Sequence, residues 1–451
     1  MRLKKAIYFT NALNRLLAGL AILTIGILVI ILQNEILIPL MYVIAAVLII
    51  TGVAHLIGWC TQKPRKTSPL LFSLFSIVFG CVFIANIHLP LTLATVLFAV
   101  YLIVSGVAKS IDAILIFNSG AGEFLLSLTM ALLFLVFGVM LLVTPSAHVN
   151  TVFRIFGLYC ILFGSTYILD FIYSVLPKKA VLKAKRRIHI TLPVFMVMFI
   201  PYTVQKKINT FLSSGSSLEE LEMKLEEEGE EPVESIVPDL EIFIHVADNG
   251  ANAIGHCDVC FEGEVIAYGN YDEASARLMS GIGPGVLILS HADTYIPFCL
   301  EHNHTTIFAF GLRLNEDQKQ RVHTRIAEIK ALLEPWDPPF QAAVKKDPQA
   351  DPERFQDFSS ILGRCTDTKF FKFTSSKFKT YFVCTTNCVL LVDSIVCKAG
   401  TDVLNVTGIV TPGTLYDYLN SEYLRSNSLV VTRDIFKMRN GVVEKLHISK
   451  E

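Results

Sequence analysis

With 451 residues, 52% of them hydrophobic and only 18% charged, the chain is too apolar for an ordinary soluble protein. A formal charge of −1 offers nothing to attract a polyanion, which excludes nucleic-acid binding through a basic surface. Mean hydropathy is +0.52, but the apolar runs crowd into residues 1–177, and 205–451 has a soluble composition.

The N-terminus, Met1-Arg2-Leu3-Lys4-Lys5, is basic, and no small-residue cleavage site follows its apolar run, so the first span is expected to be uncleaved. Six segments are apolar and long enough to cross a bilayer, at roughly 12–32, 37–58, 69–88, 91–115, 124–144 and 150–175. Arg2, Lys4, Lys5 and Arg15 precede or open the first. Lys63, Arg65 and Lys66 separate the second from the third, and Lys178, Lys179, Lys183, Lys185, Arg186 and Arg187 follow the sixth. The loops around Glu35, His88 and His148 carry almost no Lys or Arg, Arg154 excepted. By the positive-inside rule both termini are expected in the cytoplasm.

The spans repeat. Gly26, Gly80 and Gly138 lie 54 and 58 residues apart in the odd spans, and Gly52, Gly106 and Gly164 repeat the same spacing in the even ones. The unit is a helical hairpin used three times, and small residues at these points let helices approach closely. His55, Lys109, Asp112 and Asp170 fall near the cytoplasmic ends of even helices, where snorkelling accommodates charge, and no acidic ladder marks an ion path. Six short spans in three hairpins, each with a central glycine, resemble the HdeD-type acid-resistance membrane family over about residues 8–176. That resemblance implies a small bundle in the bacterial inner membrane, with a role in stress resistance and no defined biochemistry.

The stretch 188–201, Ile188-His189-Ile190-Thr191-Leu192-Pro193-Val194-Phe195-Met196-Val197-Met198-Phe199-Ile200-Pro201, is apolar but short and bracketed by prolines. An interfacial segment fits it better than a seventh crossing. Ser217 and Glu220 have the form of a capping box opening a short acidic spacer helix. The expected organisation is a bundle over 1–177, a basic and acidic linker over 178–238, and an α+β domain over 239–451.

In the last part, Leu240–Val246 alternates as a strand, and His256–Phe261 with Val265–Asn270 make a hairpin about a Glu262-Gly263-Glu264 turn. Thr305–Leu314 is another strand. Asn315 opens an amphipathic helix through about Leu333, with Val322, Ile326, Ile329 and Leu333 on one side. Pro335–Pro352 reads as a loop, Lys369–Phe373 and Lys379–Val383 as strands, and Cys388 starts a helix.

Seven of the ten cysteines lie in this part, with spacing unlike a disulfide scaffold; a reducing compartment suits them. A cysteine opening a helix meets the dipole's positive end and unpaired amide N–H groups, which favour the nucleophilic thiolate. It needs a base to take and return a proton, and His256 on a strand is the candidate. A helix cysteine packed against a strand histidine is the papain-like solution. Gly255-His256 before a hairpin ending Tyr268-Gly269-Asn270-Tyr271-Asp272, followed later by Asn387-Cys388 opening a helix, resembles the circularly permuted NlpC-type papain-like superfamily over about 239–435. That group includes lecithin:retinol acyltransferase-like enzymes and bacterial amidase-like domains. The resemblance implies Cys388 as nucleophile, His256 as base and a polar residue on the neighbouring strand to orient the histidine. A three-residue turn would set Asn270 opposite His256, with Tyr268 on the same face. Asn387 is expected to cap the helix or assist the oxyanion beside the Cys388 N–H.

Cys257 and Cys260 have zinc-ligand spacing, with Cys299, His302 and His304 downstream. Residues three apart on a strand face opposite ways, however, so no metal or other cofactor is expected. Gly281–Gly285 lacks the lysine of a phosphate loop and reads as a turn. The expectation is a membrane-anchored cysteine hydrolase or acyltransferase, a thiol-protease-like enzyme acting on an amide or ester, with lipid-linked molecules as candidate substrates and the bilayer as partner. The alternative is a non-catalytic stress-resistance membrane protein whose soluble domain binds a ligand or partner.

Overall fold

The computed structural model describes residues 2–61, 67–119, 124–175, 200–213, 237–247, 255–278, 280–400, 411–424, 428–439 and 441–449. Within these, the N-terminal apolar segments form α1 (Arg2–Leu32), α2 (Asn34–Thr61), α3 (Thr67–Ala85), α4 (His88–Asn118), α5 (Phe124–Val143) and α6 (Val149–Val175). Cα packing divides the chain into two units. One comprises Leu13–Val107 and Thr129–Phe171; the other comprises Met1–Ala12, Ala108–Leu128 and Ile172–Glu451.

In the helical unit every repeated glycine meets the backbone or an aliphatic side chain of a neighbouring helix. A Cβ on Gly26 would lie 2.6 Å from the Gly157 carbonyl oxygen, and one on Gly164 would lie 2.7 Å from that of Gly19. Gly52 and Gly80 join α2 to α3, and Gly106 and Gly138 join α4 to α5. The second helix of each hairpin thus packs on the first of the next, and α6 returns to α1. Leu71, Phe75, Leu97, Val136 and Val143 lie exposed on the outer faces. So large an apolar surface has hydrocarbon, not water, as its natural solvent. Among the described residues four helices are long and apolar enough to cross a membrane, at Glu35–Thr61, His88–Asn118, Phe124–Val143 and Pro145–Leu169, and Leu16–Leu32 and Leu70–Ala85 are shorter apolar helices.

The other unit holds α7 (Ile200–Ser213) and a mixed region of strands and helices. Its strands are β1 (Leu240–Ala247), β2 (His256–Phe261), β3 (Glu264–Gly269), β4 (Ile282–Pro284), β5 (Val286–His291), β6 (Thr305–Leu312), β7 (Leu333–Pro335), β8 (Lys369–Phe373), β9 (Thr380–Phe382), β10 (Val430–Arg439) and β11 (Val442–Ser449). Its further helices are α8 (Ala292–His302), α9 (Glu316–Lys330), α10 (Pro339–Lys346), α11 (Phe358–Cys365), α12 (Cys388–Val396) and α13 (Pro412–Tyr423). Nine strands make one antiparallel sheet in the order β11-β10-β6-β1-β2-β3-β5-β8-β7, and β4 pairs with β9 separately. Helices α9, α12 and α13 bury one face. Helices α8 and α11 bury the other. Helix α7 packs Ile200, Tyr202 and Val204 against the first core, and Gln205 Nε2 donates to the Val246 carbonyl at 2.8 Å.

Several local expectations change. The β2–β3 turn is the two-residue Glu262-Gly263, both with positive φ, so Val259 pairs with Ile266 and the register moves by one residue. Helix α9 opens with the Asn315–Gln318 capping box and buries Val322, Ile326 and Ile329, but it stops at Lys330 because Leu333 pairs with Phe373 as β7. The expected loop 335–352 contains α10, which Pro339 opens from the first helical position. Gly281–Gly285 is not a turn: Ile282–Pro284 is a strand against Thr380–Phe382. Ile200 and Pro201 open α7. The remainder of 188–201, the basic residues at 63–66 and 178–187, and the spacer at 217–228 lie outside the described residues.

Candidate functional site

Strand β2 begins immediately after Gly255, whose φ of +99° suits glycine, and a Cβ there would lie 3.0 Å from the His245 carbonyl oxygen. Strand alternation sends His256 and Asp258 to one face of the sheet. Pairing with β1 sets His245 directly across from His256, and Phe243 across from Asp258. The Asp258 carboxylate, fully buried, sits between the two imidazoles. Its Oδ1 is 2.8 Å from His256 Nε2 and its Oδ2 is 2.9 Å from His245 Nε2. Tyr295, on α8, donates its hydroxyl to Oδ2 at 2.9 Å. A buried carboxylate is tolerable only when partnered in this way.

The Tyr271 hydroxyl lies 3.0 Å from the same His256 nitrogen. That ring folds back over Gly269, where a Cβ would lie 2.8 Å from it. The Asp258 carboxylate and the Tyr271 hydroxyl therefore both approach Nε2.

Cys388 is the first residue of α12 and is buried in the core between α12 and the sheet. Asn387 caps the helix: its Oδ1 accepts from the Leu390 N–H at 3.2 Å, and its Nδ2 donates to the Val383 carbonyl at 2.9 Å. The N–H of Cys388, in the first turn, has no intrahelical acceptor. Cys257 and His256 are the groups that act on its thiol. The Cys257 hydrogen bond and the His256 charge hold it well below the ordinary thiol range despite burial. Burial opposes protonation of His256, yet the charges of Asp258 and Cys388 raise it well above the ordinary imidazole range. Burial also opposes ionisation of Asp258, and the two histidines overcome it, keeping Asp258 a carboxylate far below its usual range. A thiolate beside an imidazolium is the nucleophilic form of such a pair.

Asn270 does not face His256. The shorter turn moves it out of register, and its Nδ2 donates to the Ser280 carbonyl at 3.1 Å. Tyr268 lies in the same core as Cys388, but its hydroxyl donates to the Phe378 carbonyl at 3.0 Å. The histidine's polar neighbours are instead Asp258, from its own strand, and Tyr271. The His256-x-Asp258 spacing was the signal for the first, since period-two alternation alone puts both on one face. No spacing pointed to Tyr271, His245 or Tyr295. Cys257 and Cys260 belong to opposite cores, as strand alternation requires, and no His/Cys/Asp/Glu cluster able to hold a metal occurs among the described residues.

Comparison with known families bears on the N-terminal part. Residues 17–85 and 71–143 match the family described as "Short repeat of unknown function (DUF308)". The HdeD-type family consists of DUF308 repeats, so the resemblance of the N-terminal half holds. Together with four helices long and apolar enough to cross a bilayer, the DUF308 match makes this a multi-pass membrane protein. No curated protein and no solved structure matches the chain.

Proposed function

We propose that the part following the DUF308 repeats, 239–451, is a permuted papain-like domain and acts as a membrane-anchored cysteine hydrolase or acyltransferase. Cys388 is the nucleophile, His256 the acid/base and Asp258 the residue that orients the histidine. The observation that carries this reading is the thiol at the start of α12, lowered by a neighbouring histidine whose Nε2 stands 2.8 Å from a buried carboxylate. The Cys388 sulfur attacks the carbonyl carbon of an amide or ester while His256 holds the proton. The oxyanion forms against the Cys388 N–H at the helix N-terminus. His256 then protonates the departing amine or alcohol, leaving a thioester. Water or an acceptor alcohol or amine, deprotonated by His256, attacks the thioester, and the thiol is regenerated. Asn387 holds the first turn of α12 in place. Tyr268 supports the strand beside Cys388 through Phe378, with no direct role in proton transfer.

The arrangement of basic residues favours both termini and this domain in the cytoplasm of a bacterial inner membrane, where amides or esters on lipid-linked molecules are the substrates within reach. The test is alkylation by iodoacetamide followed by peptide mass spectrometry on the full chain in nanodiscs. Cys388 is expected to react below pH 7 faster than the chain's other thiols, and His256→Ala to slow it by at least tenfold. Equal labelling of Cys384 or Cys397, or no effect of His256→Ala, would favour a domain that binds without chemistry.

A further inference from the structure

Asp112 lies near the end of α4 and belongs to the same compact unit as the sheet. It is an acid within a helix that is otherwise apolar enough to cross a membrane, and it is buried, with 4% of its surface exposed. A buried carboxylate needs several donors, and this one has them on both oxygens. Oδ2 takes the Ser127 hydroxyl at 3.0 Å and the Lys109 ammonium at 3.4 Å. Oδ1 takes the Thr385 hydroxyl at 2.8 Å and the Thr386 hydroxyl at 3.2 Å. Both threonines are buried, and they precede Cys388 by three and two residues.

The segment between β9 and α12 is a tight turn. Phe382 N–H donates to the Thr386 carbonyl at 3.0 Å, and Thr385 N–H donates to the Phe382 carbonyl at 3.1 Å. Asn387 closes it through Val383 and caps α12. These bonds shape the turn internally, and on its β9 side Val383 N–H donates to the Gly281 carbonyl at 2.9 Å, continuing the pairing with β4; the Thr385-Thr386 side is held from elsewhere. The two charge-assisted bonds to Asp112 tie it to a separate helix, and such bonds are about twice as strong as neutral ones. Where this turn sits decides where the Cys388 sulfur and N–H sit relative to His256.

We infer that Asp112 is a positioning residue for the nucleophile, its Oδ1 clamping the Thr385-Thr386 turn so that Cys388 meets His256. The inference rests on Cys388 acting as a nucleophile. Its consequence is that the last turns of α4 are part of the active centre's framework, so a displacement of that helix end reaches the thiol through one carboxylate.

The test uses the full chain in nanodiscs and two readouts. Hydrogen exchange over Phe382–Leu391 reports the turn whether or not Cys388 is reactive. The pH profile of Cys388 alkylation reports the Cys388–His256 approach. Asp112→Asn is expected to speed exchange across the turn and to raise the alkylation midpoint by about one pH unit, roughly a tenfold loss of thiolate at pH values below the wild-type midpoint. Asp112→Glu should recover part of both. In the double variant Thr385→Val/Thr386→Val, adding Asp112→Asn should change little, because the contact is already gone. Unchanged exchange and an unchanged midpoint in Asp112→Asn would overturn the inference. So would full additivity with the threonine changes, since Asp112 would then act elsewhere. If wild-type Cys388 proves unreactive and His256→Ala has no effect, the enzyme reading falls, and exchange alone still decides the clamp.

Discussion

His256 and Asp258 stand two residues apart on one strand, with Nε2 and Oδ1 2.8 Å apart. Because β2 alternates, this contact needs no chain reversal or distant partner. Asp258 is also shared with His245 and Tyr295, so the carboxylate both orients one imidazole and belongs to a buried network. Removing it takes one partner from a buried ion pair. Asp258→Asn is expected to cost about 3–5 kcal/mol, measured by urea or thermal unfolding. The sign with pH follows from its depressed ionisation. The Asp258 contribution is complete above the ordinary carboxylate range and is lost as pH falls below it, so Asp258→Asn should flatten the acid limb of the stability curve.

The pair Cys388–His256 sets a second expectation. The Cys257 hydrogen bond and the imidazolium lower the thiol, and Asp258 and the thiolate raise the imidazole. Reactivity is lost at low pH as the thiolate is protonated through the depressed cysteine value. It is lost at high pH as His256 gives up the proton needed by the leaving group. The kcat/KM profile for an amide or ester should therefore be a bell between the two apparent values, which belong to the pair. In His256→Ala the alkylation midpoint should move up towards that of an ordinary thiol.

Asn387 provides a test of the helix start. Its side chain accepts from Leu390 N–H and donates to the Val383 carbonyl, so Asn387→Ala removes a cap. A loss of about 1 kcal/mol in unfolding is expected, with faster exchange in the first turn of α12. Asn387→Asp, which preserves the acceptor, should recover most of the stability.

In the DUF308 repeats the glycines are predicted to be intolerant of side chains. A Cβ on Gly164 would lie 2.7 Å from the Gly19 carbonyl oxygen and 2.8 Å from the Leu23 amide nitrogen, both fixed backbone. Gly164→Val should cost about 1–3 kcal/mol, read as a lower melting temperature in detergent. Gly58, with nothing near its Cβ position, should accept alanine without loss.

Much of this protein was legible from one strand of text. Apolar runs of bilayer length and a glycine recurring at matched spacing marked the repeated membrane hairpins, because period and length are local properties. Asn387-Cys388 marked a helix start, since capping depends only on neighbouring residues. The turn at Glu262-Gly263 misled by a single residue, and in a strand that error moves every side chain to the other face. It placed Asn270 opposite His256, where Asp258 and Tyr271 are the actual neighbours.

Residue order alone sets the chemistry on offer: an apolar repeat suited to a bilayer, a thiol at a helix start and a histidine at a strand start. Packing chooses which groups surround them. Asp258 could be inferred from alternation, but its burial between two histidines depends on β1 and α8 closing over it. Asp112 lies more than 270 residues before the threonines it binds. No local pattern carries such a contact, because packing brings together residues whose separation along the chain the pattern cannot see.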